Sequence, residues 1–159
     1  MSAHPQTRIG HVHLKVSDLE RSIAFYRDVI GLEVMQRYGH GAAFLSAGGY
    51  HHHIGLNTWE SKGGSRPPHG TTGLYHTAFL FPDRPSLGAA LKRAVQAGIR
   101  IEGAADHGVS EAIYFSDPDG NGIEIYRDRA PEDWPRTATG DLDMVNAPLD
   151  IEALLSEAA

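Results

Sequence analysis

Apolar and polar positions alternate in several short stretches of the first half of the chain, a pattern that predicts half-buried β-strands. Residues 9–16 (IGHVHLKV) are the first such stretch. A helical pattern follows from Asp18, a residue suited to cap a helix N-terminus, and it ends at Gly31. Three further strands are predicted within residues 32–38, 42–47 and 51–57. The first half therefore has the predicted order βαβββ.

The second half repeats this order. Residues 74–81 predict a strand and residues 84–97 a helix that ends at Gly98. Three more strands are predicted at residues 99–103, 111–117 and 122–128, and residues 42–56 align with residues 112–126 without a gap. We therefore expect an α+β fold in which two βαβββ modules in tandem form a half-open, cup-shaped mixed β-sheet with flanking helices.

The segments outside these modules are defined by composition. We assign an N-terminal arm to residues 1–8, the first module to 9–58, a Gly-, Pro- and Ser-rich linker to 59–73, the second module to 74–129, and a tail with a short helix near residues 149–157 to 130–159. The two modules are expected to form one domain. The tail is expected to cover either the mouth of a cleft or another subunit.

Histidine is abundant, with ten copies in 159 residues, and cysteine is absent. Any metal ion must therefore be bound by nitrogen and oxygen ligands. The net charge of −6, without a long basic run, argues against a nucleic-acid partner. No apolar run approaches the roughly 20 residues that span a bilayer, so no membrane partner is expected. The N-terminal residues lack the pattern of a secretion signal, which makes the cytoplasm the expected location.

Two histidines and one glutamate form the candidate metal site. His11 and His76 occupy equivalent places in the first strands of the two modules, so they should face each other if the modules pack around a pseudo-twofold axis. Glu124 lies between Ile123 and Ile125, where a buried carboxylate is costly unless a cation meets it. Such a facial triad leaves positions for water, substrate or dioxygen. The alternative is that both histidines are structural and the glutamate is exposed on an edge strand.

His52 is the candidate acid/base residue. In the gap-free alignment Glu124 matches Ile54, and His52, two residues before Ile54, should share its strand face and point into the cleft. Three alternatives stay open. His52 can be a fourth ligand, the run of three histidines can be a solvated edge, and His13 can replace His11 as a ligand.

Two further side chains are candidates for substrate contacts. Tyr114 precedes Glu124 by ten residues across a turn, so the two can lie on adjacent antiparallel strands. A phenol near a metal can donate a hydrogen bond to an oxygen anion. His107 precedes the same strand, at a rim position. The alternatives are an ordinary cross-strand aromatic residue and a surface-loop histidine.

Residues 9–34, 73–81 and 113–129 (IGHVHLKVSDLERSIAFYRDVIGLEV, GLYHTAFLF and IYFSDPDGNGIEIYRDR) resemble the vicinal oxygen chelate superfamily. That superfamily includes glyoxalase I, bleomycin-resistance proteins and type I extradiol dioxygenases. The resemblance covers residues 8–130. Residues 50–59 and 106–129 are most similar to the catechol 2,3-dioxygenase branch.

The resemblance implies a role for each candidate residue. It implies metal ligands at His11, His76 and Glu124, an acid/base histidine at His52, an active-site tyrosine at Tyr114 and a substrate-binding histidine at His107. The segment between His107 and Tyr114 is two residues shorter than in the dioxygenases. The implied activity is extradiol ring cleavage of a small aromatic diol by dioxygen, with Fe(II) as the implied cofactor and Mn(II), Zn(II) or Ni(II) as other possibilities. A homo-oligomer, such as a dimer, is the implied assembly, although familiar extradiol dioxygenases often carry two double modules and this chain has one.

Two other activities are compatible with the resemblance. A glyoxalase-like lyase or isomerase needs a fourth ligand from the first half, commonly a glutamate, where this chain has histidines and Ile54. A small-molecule-binding protein of the bleomycin-resistance type usually lacks the metal ligands that are present here.

Overall fold

The computed structural model describes residues 2–158 and divides into two compact units, Met1–Pro67 and Pro68–Ala159. The boundary falls inside the segment predicted to be a linker. Each unit contains one βαβββ module with its own mixed sheet, so the prediction of an α+β fold with two modules in tandem is confirmed. Within residues 2–158, none of the helices has the length and apolar character needed to traverse a membrane.

The first unit contains a four-stranded sheet and one helix. Its elements are β1 (Val12–Lys15), α1 (Leu19–Phe25), a π-helical segment (Tyr26–Ile30), β2 (Glu33–Tyr38), β3 (Ala42–Ser46) and β4 (Ile54–Asn57). The strand order is β1-β4-β3-β2, and only β1 and β4 are parallel. The predicted start of the first strand at residue 9 is wrong, because the pairing with β4 begins at Val12 and Ile9 is exposed.

Local signals set the ends of α1, and burial separates the two faces of its sheet. The Asp18 side chain accepts a hydrogen bond from the backbone N–H of Arg21 at 3.0 Å, as an N-cap does. The helical segment ends at Gly31, whose φ of 94° suits glycine. The core of the unit contains Leu14, Val16, Ile23, Tyr26, Leu45, Ile54 and Leu56. The opposite face carries His13 of β1, which lies beside Gly55 of β4.

The second unit contains a five-stranded sheet and two helices. Its elements are β5 (His76–Phe81), α2 (Arg84–Gln96), β6 (Gly103–Asp106), β7 (Ser110–Ser116), β8 (Gly122–Asp128), a 3₁₀ turn (Pro131–Asp133), β9 (Ala147–Pro148) and α3 (Ile151–Ser156). The strand order is β5-β8-β7-β6-β9, with β5 and β8 parallel. The tail packs on this unit: the fully buried Leu154 lies near Gly88, where a Cβ atom would be 2.5 Å from the Leu154 carbonyl oxygen.

The predicted strand at residues 99–103 is wrong, because β6 begins at Gly103 and continues to Asp106. Its pairing with β7 fixes this position, since Gly103 lies opposite Tyr114 and Asp106 opposite Glu111. A Cβ atom on Gly103 would be 3.6 Å from the Tyr114 ring. Small residues on β6 therefore leave space for the Tyr114 side chain.

The strand registers correct the gap-free alignment of the two modules. Phe44 pairs with Gly55 in the first sheet, and Tyr114 pairs with Glu124 in the second. If Phe44 is equivalent to Tyr114, then Glu124 is equivalent to Gly55 and not to Ile54. The connection between the last two strands is one residue longer in the first module, so the alignment needs a gap there.

The same registers support the equivalence of the two candidate histidine ligands. Gly55 pairs with His13, and Glu124 pairs with Ala78. Two residues before these positions lie His11, directly before β1, and His76, the first residue of β5. Both modules thus have a histidine at the start of their first strand.

Candidate metal and substrate site

Three adjacent strands of the second unit bring His76, Tyr114 and Glu124 together on one face of the sheet. Glu124 lies on β8, between β5 and β7. Its Oε2 atom is 3.0 Å from Nε2 of His76, and its Oε1 atom accepts a hydrogen bond of 3.2 Å from the Tyr114 hydroxyl. The Glu124 side chain is only 13% exposed. The predicted adjacency of Tyr114 and Glu124 is confirmed, since the two residues are direct partners in the β7–β8 pair.

His107 extends this series of polar contacts. Its Nε2 atom is 2.8 Å from the Tyr114 hydroxyl oxygen, and its Nδ1 atom is 3.0 Å from the carbonyl oxygen of Val145. Burial, and secondly the Glu124 carboxylate, raise the pKa of Tyr114 to about 12. The phenol therefore keeps its proton near neutral pH and can act as a hydrogen-bond donor.

The donor atoms of His76 and Glu124 fit a shared divalent cation. Two neighbouring ligands of an octahedral ion with bonds of ~2.1 Å are about 3.0 Å apart. The Nε2–Oε2 separation of 3.0 Å matches this value, and imidazole with carboxylate is a suitable donor set. Across residues 2–158, no three His, Cys, Asp or Glu side chains are grouped closely enough to hold a metal ion. The second unit therefore brings together two side chains that can bind one ion.

In the first unit, His11 and His52 lie side by side. Their ring centroids are 4.3 Å apart, and the His52 ring is 5.0 Å from the Phe44 ring. Desolvation, and secondly the neighbouring His11, lower the pKa of His52, which favours the neutral form that can accept a proton. Among the described residues, His11 has no hydrogen-bond partner, so both of its ring nitrogens are available.

The structure places the His52 ring beside His11, but the predicted strand parity with Ile54 is wrong. Ile54 faces the core and is 1% exposed, so a strand extended back to His52 would direct that side chain into the core. Instead β4 begins at Ile54, and the chain bends at residues 51–53. The bend turns the His52 ring towards His11.

The flanking histidines make other contacts. His53 Nδ1 is 3.0 Å from the Ser46 hydroxyl, and the His51 ring is 4.0 Å from the Tyr50 ring. His51 Nδ1 also lies 2.8 Å from Nδ1 of His52. Both flanking side chains are exposed, whereas His52 is half-buried.

His13 is fixed by Asn57, a residue that the sequence analysis did not single out. The Asn57 Oδ1 atom accepts the backbone N–H of Trp59 at 3.2 Å, so its Nδ2 group is directed at Nε2 of His13, 3.0 Å away. This contact engages Nε2 of His13 inside the unit and favours His11 over His13 as the ligand. Asn57 follows Gly55 by two residues on β4, so strand periodicity is the signal that would have placed it on the histidine face.

Replacing Gly55 by alanine should displace the His13 ring. A Cβ atom at Gly55 would lie 2.9 Å from Cγ of His13, closer than such atoms approach. We expect the free energy of unfolding to fall by about 1–3 kcal/mol because of this overpacking. In a Trp134→Phe background, urea unfolding followed by Trp59 fluorescence measures the change, since the Trp59 ring is 5.8 Å from the His13 ring.

The matched control is Gly10→Ala, whose Cβ atom would make an ordinary contact of 3.5 Å with the Tyr50 hydroxyl. Equal stabilities of the two alanine variants would show that the His13 ring does not occupy the space above Gly55.

Comparison with known proteins identifies the family. The sequence model of the Glyoxalase/Bleomycin resistance protein/Dioxygenase superfamily matches residues 8–125. This stretch contains both modules almost completely, including all six candidate residues. The chain belongs to this superfamily.

Individual relatives include dioxygenases and a lyase. The chain is 46% identical over 158 residues to the catechol-2,3-dioxygenase of Bacillus subtilis (strain 168), covering 99% of this chain and 54% of that protein. It is 33% identical to biphenyl-2,3-diol 1,2-dioxygenase 3 of Rhodococcus globerulus, covering 76% of this chain and 63% of that protein. The crystal structure of lactoylglutathione lyase from Agrobacterium tumefaciens has a TM-score of 0.59 at 27% identity, covering 78% of this chain and 96% of that one. The chain thus spans about half to two thirds of the length of these two dioxygenases.

Proposed function

We propose that this chain carries the metal site of an extradiol-type dioxygenase, which opens the ring of a catechol-like aromatic diol with dioxygen. The observation that carries the proposal is the continuous contact series His76–Glu124–Tyr114–His107 in the second unit. It joins two side chains that are suited to bind a metal ion to two groups that can bind a phenolic oxygen. The 46% identity to a catechol-2,3-dioxygenase supports the same reaction class.

In this proposal, His11 joins His76 and Glu124 as the third metal ligand. Fe(II) is the proposed ion, and Mn(II), Zn(II) or Ni(II) also suit nitrogen and oxygen donors. When bound, such an ion supplies Lewis-acid polarisation of the two diol oxygens and leaves positions for substrate and dioxygen. The separation of His76 and Glu124 and the ring nitrogens of His11, which make no hydrogen bond within residues 2–158, support this ligand set.

The other residues have separate roles in this proposal. His52 takes or delivers a proton as general base or acid, for which a neutral imidazole beside the first ligand is suited. Tyr114 donates its hydroxyl proton towards the anion that develops on the substrate, because its raised pKa keeps it protonated. His107 contacts the Tyr114 hydroxyl and binds the same side of the substrate.

The His52→Gln variant tests the proposed acid/base role. We expect kcat for catechol cleavage to fall about a hundredfold, as loss of a general acid/base residue does, while metal content stays unchanged. The assay uses protein reconstituted anaerobically with Fe(II), followed by oxygen uptake and the near-visible absorption of the ring-opened product. His53→Gln is the matched control, because His53 is exposed and bonded to Ser46.

Equal activity in the two variants would remove His52 from the proposal. Absence of oxygen uptake by the native protein with several catechols and each of the four metals would contradict the dioxygenase function itself.

A glyoxalase-like lyase is the second candidate, favoured by the structural similarity to a lactoylglutathione lyase. That reaction needs a fourth ligand from the first module. The corrected register puts Gly55 at the position equivalent to Glu124, so the first module has no carboxylate there. An isomerisation assay with methylglyoxal and glutathione, run on the same metal-loaded samples, distinguishes the two reactions.

A further inference from the structure

The tail of the second unit is hydrogen-bonded to the loop that carries His107. The backbone N–H of Val145 donates to the His107 carbonyl oxygen at 3.1 Å, and the Val145 carbonyl oxygen lies 3.0 Å from Nδ1 of the His107 ring. Ala147 and Pro148 then pair with β6 as strand β9. Residues 143–148, which we call the clamp segment, therefore run beside His107.

The contact with Val145 determines which ring nitrogen of His107 carries a proton. A carbonyl oxygen only accepts hydrogen bonds, so Nδ1 must be the protonated nitrogen. In neutral His107, the lone pair then lies on Nε2, which is 2.8 Å from the Tyr114 hydroxyl. Tyr114 thus has one proton and two acceptors, Nε2 of His107 and Oε1 of Glu124.

The tail also packs against Gly108 of the loop that carries His107. Gly108 has a φ of 74°, and a Cβ atom there would be 2.6 Å from Pro135 Cγ and 3.2 Å from Val145 Cγ2. The Asp106 side chain accepts the Gly108 backbone N–H at 2.8 Å. These contacts restrict the His107 loop, so the ring keeps Nδ1 towards the Val145 carbonyl and Nε2 towards the Tyr114 hydroxyl.

We infer that the clamp segment is a positioning element of the candidate site, in which the Val145 carbonyl holds His107 as the Nδ1–H tautomer with Nε2 facing Tyr114. The segment lies outside residues 8–125, which match the family. The effect of the clamp segment on turnover rests on the proposed function, whereas the tautomer of His107 does not.

A single-atom change in the backbone tests this inference. Semisynthesis with an ester in place of the Val145–Asn146 amide weakens the Val145 carbonyl as an acceptor and keeps every side chain. The synthetic fragment starts at residue 138 as cysteine and is desulfurised to the native Ala138 after ligation, which is selective because the chain has no cysteine. The control carries the ester at the Asp143–Met144 linkage, whose groups make no backbone hydrogen bond within residues 2–158.

Long-range ¹⁵N–¹H NMR of histidine-labelled, metal-free protein reports the tautomer, with the His107 signals assigned from a His107→Asn variant. We expect the Nδ1–H form in the native protein and the control, and a shift of about fivefold towards the Nε2–H form in the Val145–Asn146 ester, as expected for one weakened hydrogen bond. An unchanged tautomer ratio in that ester would overturn the inference.

Kinetics of the metal-loaded samples test the functional part separately. We expect kcat/KM for the diol to fall about fivefold in the Val145–Asn146 ester, with metal content unchanged, and to stay native in the control. A shifted tautomer with native kcat/KM would contradict the role in positioning. Absence of ring cleavage in the native protein would contradict only the proposed function, because the NMR result does not depend on it.

Discussion

Replacing Glu124 by glutamine should abolish stable metal binding without unfolding the second unit. The variant loses the negative charge that the cation needs, but its amide still offers an acceptor to the Tyr114 hydroxyl and a hydrogen-bonding group to His76. Removing an outer partner of a metal ligand typically costs 10–100-fold in affinity, so we expect loss of a direct ligand to cost more than about 100-fold. Isothermal titration with Zn(II) or Mn(II) measures the affinity, and oxygen uptake with catechol should fall together with metal content.

The control for this experiment is Glu102→Gln. Glu102 is an exposed carboxylate of the same unit that accepts a hydrogen bond of 2.9 Å from the Ser116 hydroxyl. The control variant has the same change in net charge and should bind the metal as the native protein does. Native metal affinity in the Glu124 variant would show that the ion is held elsewhere, and would remove the ligand set on which the proposed function depends.

Elements bounded by local signals could be predicted from the sequence, and those fixed by pairing could not. Asp18 and Gly31 mark the ends of the first helical segment because a cap and a positive φ depend on a single residue. Strand β6 (Gly103–Asp106) has no apolar alternation, since two of its four residues are alanine and one is glycine. Its position depends on the partner strand β7, so the pattern at residues 99–103 predicted a strand in the wrong place.

The candidate site shows the same division. The spacing of Tyr114 and Glu124 was predictable because the turn between their strands is fixed locally: the Asp117 Oδ1 atom accepts the backbone N–H groups of Asp119 and Asn121 at 2.9 and 2.8 Å. The contact of Val145 with His107 was not predictable, since 38 residues separate them and the tail follows no repeat.

The position of His52 was only partly predictable from the sequence. The longer connection before β4 shifts the register by one residue, and the bend at residues 51–53 turns the side chain back towards His11. These two departures from the gap-free alignment offset each other and place the ring beside His11, although Ile54 was the wrong reference, and the orientation of His52 into a cleft stays a prediction. A prediction from strand parity therefore holds only when the strand extends to the residue in question.

Replacing Glu111 by glutamine is expected to give the largest loss of stability. Its side chain is 6% exposed and lies 3.1 Å from Nε of Arg84, 2.7 Å from Nη2 of Arg127 and 3.6 Å from Nη2 of Arg129. Without the carboxylate, Arg127 loses its one carboxylate partner among the described residues, whereas Arg84 keeps Glu157 and Arg129 keeps Asp106. Since breaking a buried ion pair on one side typically costs 3–5 kcal/mol, we expect the free energy of unfolding to fall by about that amount.

The two tryptophans allow this loss to be assigned to one unit, because Trp59 lies in the first unit and Trp134 in the second. In a Trp59→Phe background, urea unfolding followed by Trp134 fluorescence reports the unit that contains Glu111. Glu157→Gln is the matched control, since Glu157 also pairs with Arg84 but is 43% exposed, and exposed pairs contribute at most about 1 kcal/mol. A loss for Glu111→Gln as small as that of the control would mean that other groups already compensate the charges of the arginines. The buried carboxylate would then not hold the start of α2 to the ends of β7 and β8.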